Sequence, residues 1–197
     1  MTHIQDNPLN LILLGGSSGS FVLFEEIVKL TTSPLNCTLI FVLHRGKSNS
    51  SYLPQLFKTK TKVRMEEPEH LDPVANNCIY FAVPDYHLLV GPDGRFYLDN
   101  TDKDFHSRPS IDATFISAAQ SGIPIKAAFL FSGSNQDGAS GLKYIAEKGF
   151  DTFVQNPDFA ESARMPQEAL RLYRGHRILD QTNIFEHIRN ILYSYST

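Results

Sequence analysis

The sequence predicts an α/β fold: a doubly wound, mainly parallel sheet flanked by helices, with a small antiparallel hairpin insertion. Three observations predict it. Short continuous apolar runs, LNLILL and CTLIFVL among them, have the length and character of strands buried on both faces. Stretches with apolar residues at helical spacing alternate with those runs, the signature of parallel crossover units. In the middle of the chain, two β-prone runs flank Pro92-Asp93-Gly94, residue types that favour a tight turn and hence a hairpin.

Each element follows in order. A strand is expected over 9–14, feeding the turn GGSSG, and a helix over 20–30, where Phe21, Phe24, Ile27 and Val28 recur at helical spacing. A second buried strand over 37–43 ends at His44. Lys58, Lys60, Lys62 and Arg64 alternate in FKTKTKVR, the pattern of a solvated strand face. CIYFAV, HLLVGP and RFYLDN read together as an antiparallel insertion beside the parallel core. A helix should start near Ser110, whose hydroxyl can cap it. The strand AAFLFS and the helix GASGLKYIAEKG follow, the latter ending in a glycine suited to a C-cap. Then come the strand DTFVQN, a helix from about Pro166 through Tyr173, a short strand around Ile178 and a closing helix through Ile191. With no repeat or linker, 1–197 reads as a single domain.

Composition narrows the classes of function. Hydrophobic residues make up 42% and charged residues 20%, which suits a packed globular core. The net charge of -3 argues against nucleic acid, whose binders carry a basic face. No run is long enough for membrane insertion, and the N-terminus lacks the basic and apolar regions of a secretion signal, so a cytoplasmic location is expected. Cys37 and Cys78 lie in strand-like runs and read as buried thiols, with no spacing for a zinc site. No metal and no cofactor is expected.

Three loops concentrate the chemistry. Gly15-Gly16-Ser17-Ser18-Gly19 fits the nucleophile-elbow pattern, with a strand before it and a helix after it. The helix start supplies backbone N–H groups and partial positive charge for an oxyanion, the Ser18 N–H first among them. A capped glycine turn or a phosphate cradle would have the same short pattern. Among seven histidines, His44 directly terminates a strongly apolar strand. His87 follows Pro84-Asp85-Tyr86 and could reach the site or tie down a loop; His70, in EEPEHLDP, reads as solvated. Asp137, in SGSNQDGASG, is placed to orient an imidazole through Nδ1 or to cap a helix, and Asp112 competes for the role. In parallel sheets such loops meet at the carboxyl edge of the strands.

With these residues in hand, the chain resembles the catalytic domain of chemotaxis protein-glutamate methylesterases. LGGSSGS matches that family's nucleophile turn, VLH its base, Arg108-Pro109-Ser110-Ile111-Asp112 its Arg-Pro-Ser-Val-Asp segment, and SGSNQDG its aspartate loop. Gln155-Asn156 and MPQEA match two later segments. The resemblance implies a Ser17, His44, Asp137 triad and an oxyanion hole of the Ser18 and Ser134 backbone N–H groups. It implies hydrolysis of glutamate methyl esters on a methylated receptor or another glutamyl-methylated protein, with glutamine deamidation as a companion reaction and a methyltransferase as pathway partner. Arg45 or Arg108 would help dock an acidic substrate. Four features depart from the family: Ser20 replaces a glycine, RGKSNS a proline-rich stretch, Ser134 a methionine whose backbone donor survives the change, and Asn135 a glycine. No receiver domain is expected. Two other readings stay open, a weakly active binding or regulatory module of the same fold and a short-chain dehydrogenase using Tyr144 and Lys148.

Overall fold

The computed structural model describes residues 9–32, 34–45 and 53–193. Its elements run in the order β1 (Leu11–Gly16), α1 (Phe21–Leu30), β2 (Thr38–Leu43), α2 (Leu53–Phe57), β3 (Arg64–Glu66), β4 (Cys78–Phe81) and β5 (His87–Val90). They continue as β6 (Phe96–Asp99), α3 (Ile111–Gln120), β7 (Ile125–Leu130), α4 (Ala139–Glu147), β8 (Thr152–Gln155), α5 (Arg164–Leu172), β9 (Arg177–Leu179) and α6 (Ile184–Tyr193). Seven strands form one parallel sheet in the order β3-β4-β2-β1-β7-β8-β9. The remaining pair, β5 and β6, is an antiparallel hairpin.

The central strands are apolar on both sides because both faces of the sheet are covered. Leu11, Leu13, Ile40, Val42, Ala128, Leu130 and Val154 face α3, α4, α5 and the hairpin. Their alternates Ile12, Leu14, Leu39, Phe41, Phe129 and Phe153 face α1, α2 and α6. This period-two partition makes the molecule doubly wound, and each fully buried large side chain contributes roughly 1.5–3 kcal/mol relative to exposure. The order in which strands are added reverses at β1. The path β1-α1-β2 builds the sheet one way, and β7-α4-β8 builds it the other, so the crevice for a ligand falls beyond the carboxyl ends of β1 and its neighbours.

Several elements differ from the expectation. β1 runs two residues further, through Gly15 and Gly16, because the missing side chain lets α3 approach: a Cβ on Gly15 would lie 2.5 Å from the Ile111 side chain. CIYF is not part of the antiparallel insertion. It is a buried parallel strand between β2 and β3 in the main sheet, and its short run carried no information about its pairing partner. Lys58, Lys60 and Lys62 lie in the turn and loop after α2 rather than on a strand, and only Arg64 enters β3. The stretch after Arg45, where RGKSNS departs from the family pattern, lies outside the described residues up to Leu53. Cys37 and Cys78 are free thiols, both fully buried, and burial pushes each up to about 11. No helix among the described residues is long and apolar enough to cross a membrane.

Candidate functional site

The site forms where β2, β1 and β7 end side by side. Gly16 and Leu43 are in register on β1 and β2, and the His44 N–H donates to the Gly16 carbonyl at 3.3 Å. Ser17 and His44 therefore leave the sheet from adjacent strand ends. Asp137 comes from the loop after β7, on the other side of β1.

The turn that carries Ser17 is held by Ser132, whose carbonyl accepts from the Ser17 N–H at 2.8 Å and the Ser20 hydroxyl at 2.7 Å. The Ser132 hydroxyl donates to the Ser18 carbonyl at 2.6 Å and accepts from the Ser162 N–H at 2.9 Å. The Ser132 N–H donates to Gln155 at 2.8 Å. Ser20, the departure from the family's glycine, is thus a fully buried anchor of the turn. Gly19 has φ of 80°, and a Cβ there would lie 2.5 Å from the Glu161 side chain, so the position requires glycine twice over. Among the described residues, the N–H groups of Ser18 and Ser134 have no protein acceptor; both residues are exposed.

His44 Nε2 lies 2.7 Å from Asp137 Oδ2, with side-chain exposures of 8% and 0%. The nitrogen that meets the carboxylate is Nε2 rather than the expected Nδ1. His44 must reach across the end of β1 to a loop two strands away, and the far nitrogen makes that span. Asp137 also accepts from the Ile111 N–H at 2.7 Å, the Asp112 N–H at 2.9 Å and the Ser110 hydroxyl at 3.1 Å. Its carboxylate therefore sits on the N-terminus of α3, where backbone donors and the helix dipole complement negative charge. Ser110 caps α3 as expected, accepting from the Ala113 N–H at 3.2 Å.

Asp112, the competing carboxylate, returns the arrangement. Its Oδ1 accepts from the Gly141 N–H at 2.6 Å, at the start of α4. The aspartate before α4 caps α3, and the aspartate of α3 caps α4. Burial first, then the charge of Asp137, push the Asp112 carboxyl up to about 7.

A segment from 100 to 108 reaches the site and lines a cavity with His44. Ser107 Oγ lies 3.2 Å from His44 Nδ1, and Asn135 Nδ2 donates to Ser107 Oγ at 3.3 Å. Asn135 Oδ1 accepts from the Asp137 N–H at 3.1 Å, so this departure from the family pattern joins the segment to the aspartate loop. Ser17 Oγ has no hydrogen-bond partner among the described residues; the hydroxyl on the imidazole is that of Ser107. Ser107 lies outside every motif, and Ser132, although it opens the SGSNQDG segment, carries no sequence signal of its bonds to the Ser17 turn.

His87 ties down a loop rather than reaching the imidazole. Its Nδ1 accepts from the Ser110 N–H at 3.1 Å and its Nε2 meets the Asp102 carbonyl at 3.0 Å. Arg45 pairs with Glu67 and donates to the Ala82 carbonyl at 3.2 Å. Arg108 pairs with Asp85 at 2.8 Å and donates to the Asn100 and Thr101 carbonyls, each at 2.7 Å. Both arginines line a cavity of about 360 Å³ beside His44, together with Lys103, His106 and Ser107. A second, more apolar cavity of about 280 Å³ opens past Gly19 between Val22, Leu23, Phe159 and Phe185. Tyr144 is only half-buried, bonded by Gln120, with the Lys148 ammonium over its ring, so it is neither core nor part of this site.

The CheB methylesterase family model matches residues 12–188. A putative protein-glutamate methylesterase/protein-glutamine glutaminase of Leptospira interrogans is 29% identical over 175 residues, covering 89% of this chain and 91% of that protein. The protein-glutamate methylesterase FrzG of Myxococcus xanthus is 28% identical over 177 residues, 90% of this chain and 53% of FrzG, so the chain spans about half of that relative. The crystal structure of the Thermotoga maritima CheB methylesterase catalytic domain superposes with a TM-score of 0.77 over 92% of this chain and 98% of that one; at 20% identity the likeness is one of fold.

Proposed function

The chain belongs to the CheB methylesterase family, and from that premise we propose that it is a serine esterase cleaving glutamate methyl esters on a methylated receptor or another glutamyl-methylated protein. Ser17 is the nucleophile, His44 the base and Asp137 the orienting carboxylate. The observation that carries the reading is the buried His44–Asp137 pair at 2.7 Å, beside the strand end that delivers Ser17.

Because Asp137 engages Nε2, the lone pair that serves as base is on Nδ1. Nδ1 takes the Ser17 proton as Oγ attacks the ester carbonyl, and the imidazolium is steadied by Asp137. The oxyanion is stabilised by the Ser18 and Ser134 N–H groups, a reading supported by their exposure and lack of protein acceptors. His44 protonates the leaving methoxide, methanol departs, and water attacks the acyl-enzyme by the reverse proton path to give glutamate. Glutamine follows the same sequence with ammonia as the leaving group. Arg45 and Arg108 shape the wall that an acidic substrate would meet, their charges shared with Glu67 and Asp85.

Methanol release from methylated receptor tests the proposal. Ser17→Ala is expected to lower the rate by at least about 10³-fold with the fold retained. Parent-rate hydrolysis by that variant would overturn it.

A further inference from the structure

Building on the esterase reading above, we propose that Ser107 is a positioning residue that occupies the base nitrogen of His44 in the free enzyme, so that Ser17 gains it only when the tip of the 100–108 segment gives way.

The direction of the hydrogen bonds fixes this role. Asp137 accepts from Ser110, Ile111 and Asp112, and His44 Nε2 is the fourth group on its two oxygens. A carboxylate is an acceptor, so in the neutral imidazole, the form that a general base requires, Nε2 carries the ring proton and Nδ1 is bare. Ser107 Oγ, 3.2 Å away, donates to Nδ1, while Asn135 Nδ2 donates to Ser107 at 3.3 Å. The chain of donors runs one way, from Asn135 through Ser107 and His44 to Asp137. Nδ1 has a single in-plane lone pair, which cannot serve Ser107 and Ser17 together.

The same segment is built with a fixed base and a strained tip. His87 holds the Asp102 carbonyl, and Arg108 holds those of Asn100 and Thr101. At the tip, Asp104 and Ser107 are bridged, and between them Phe105 and His106 both have left-handed backbone, at φ 48° and 63°. Such conformations are costly for residues other than glycine. Phe105 is 41% exposed, so little packing opposes movement of the tip. Ser17 and His44 leave adjacent strand ends, so withdrawal of Ser107 frees Nδ1 for the Ser17 hydroxyl.

Two measurements on the full chain test the proposal. Imidazole nitrogen NMR of His44, in a Ser17→Ala background, reads the Ser107 bond without any contribution from the nucleophile. Adding Ser107→Ala should shift the Nδ1 resonance toward that of an unbonded acceptor, and Ser107→Thr should restore it; an unmoved resonance overturns the proposal. Labelling by a small serine-directed fluorophosphonate, located by mass spectrometry, reads the consequence. Loss of one neutral hydrogen bond should make Ser107→Ala react at Ser17 roughly 2- to 10-fold faster than the parent. Equal or slower labelling of Ser17 overturns the placeholder role, and a label on Ser107 overturns both it and the Ser17 assignment. If the parent protein is not labelled at all, the esterase reading fails, while the NMR result still decides whether Ser107 holds His44.

Discussion

Asp112 is a carboxyl group confined beside a second carboxyl, and its titration is a direct readout of that confinement. In the fold its pKa is raised to about 7, above the ordinary carboxylate range. The folded state therefore holds its proton where the unfolded chain has lost it. The associated stability is fully present below about pH 4 and is lost as pH rises through about 7. Asp112→Asn keeps an oxygen for the Gly141 N–H and removes the charge. Its stability relative to the parent should improve between pH 5 and pH 8 by about 2–4 kcal/mol, measured by urea denaturation at each pH. A stability difference that does not change with pH would refute this assignment.

Between elements, the reciprocal caps make α3 and α4 one unit. Asp137 stands on the start of α3 and Asp112 on the start of α4, and Gly141 is the point of closest approach. A Cβ on Gly141 would lie 2.8 Å from the Phe115 Cβ and 3.1 Å from the Asp112 Cα. Alanine is the better helix former by about 1 kcal/mol, yet the crowded contact should reverse the sign. Gly141→Ala is expected to destabilise by about 1–3 kcal/mol in urea denaturation and to slow phosphonate labelling of Ser17, because the displaced helix carries Asp137 away from His44. This coupling was only partly legible in the sequence. The Ser110 cap could be read, since its partner is three residues away in Ala113. The capping of α3 by Asp137 could not, since its donors lie 25 to 27 residues earlier. The partners of Ser107 and Ser132 were hidden for the same reason: their bonds to His44 and to Ser18 span 63 and 114 positions. Local patterns report neighbours in sequence, whereas a site at a sheet edge is assembled from neighbours in space.

At the scale of the whole molecule, the continuous apolar runs were enough to foretell a doubly wound sheet, because a strand buried on both faces, such as Thr38–Leu43, loses the polar alternation of a half-exposed one. The place of Cys78–Phe81 was not legible, since parallel pairing depends on strand order and not on the run itself. Its thiol and that of Cys37 supply a probe of global opening. Both are inert by burial, so an exposed-thiol reagent should find none within minutes in the native protein and two in urea, with the reaction midpoint matching the loss of circular dichroism.

The position of β1 between β2 and β7 has a consequence for the nascent polypeptide. A chain synthesised only as far as α3 already contains Ser17 and His44, yet Ser132 and Asp137 have not been made. The hydroxyl then lacks its backbone anchor, and the imidazole lacks its carboxylate. Hydrolytic competence on the ribosome should arise late and abruptly, when β7 docks against β1 and the aspartate loop closes over the start of α3.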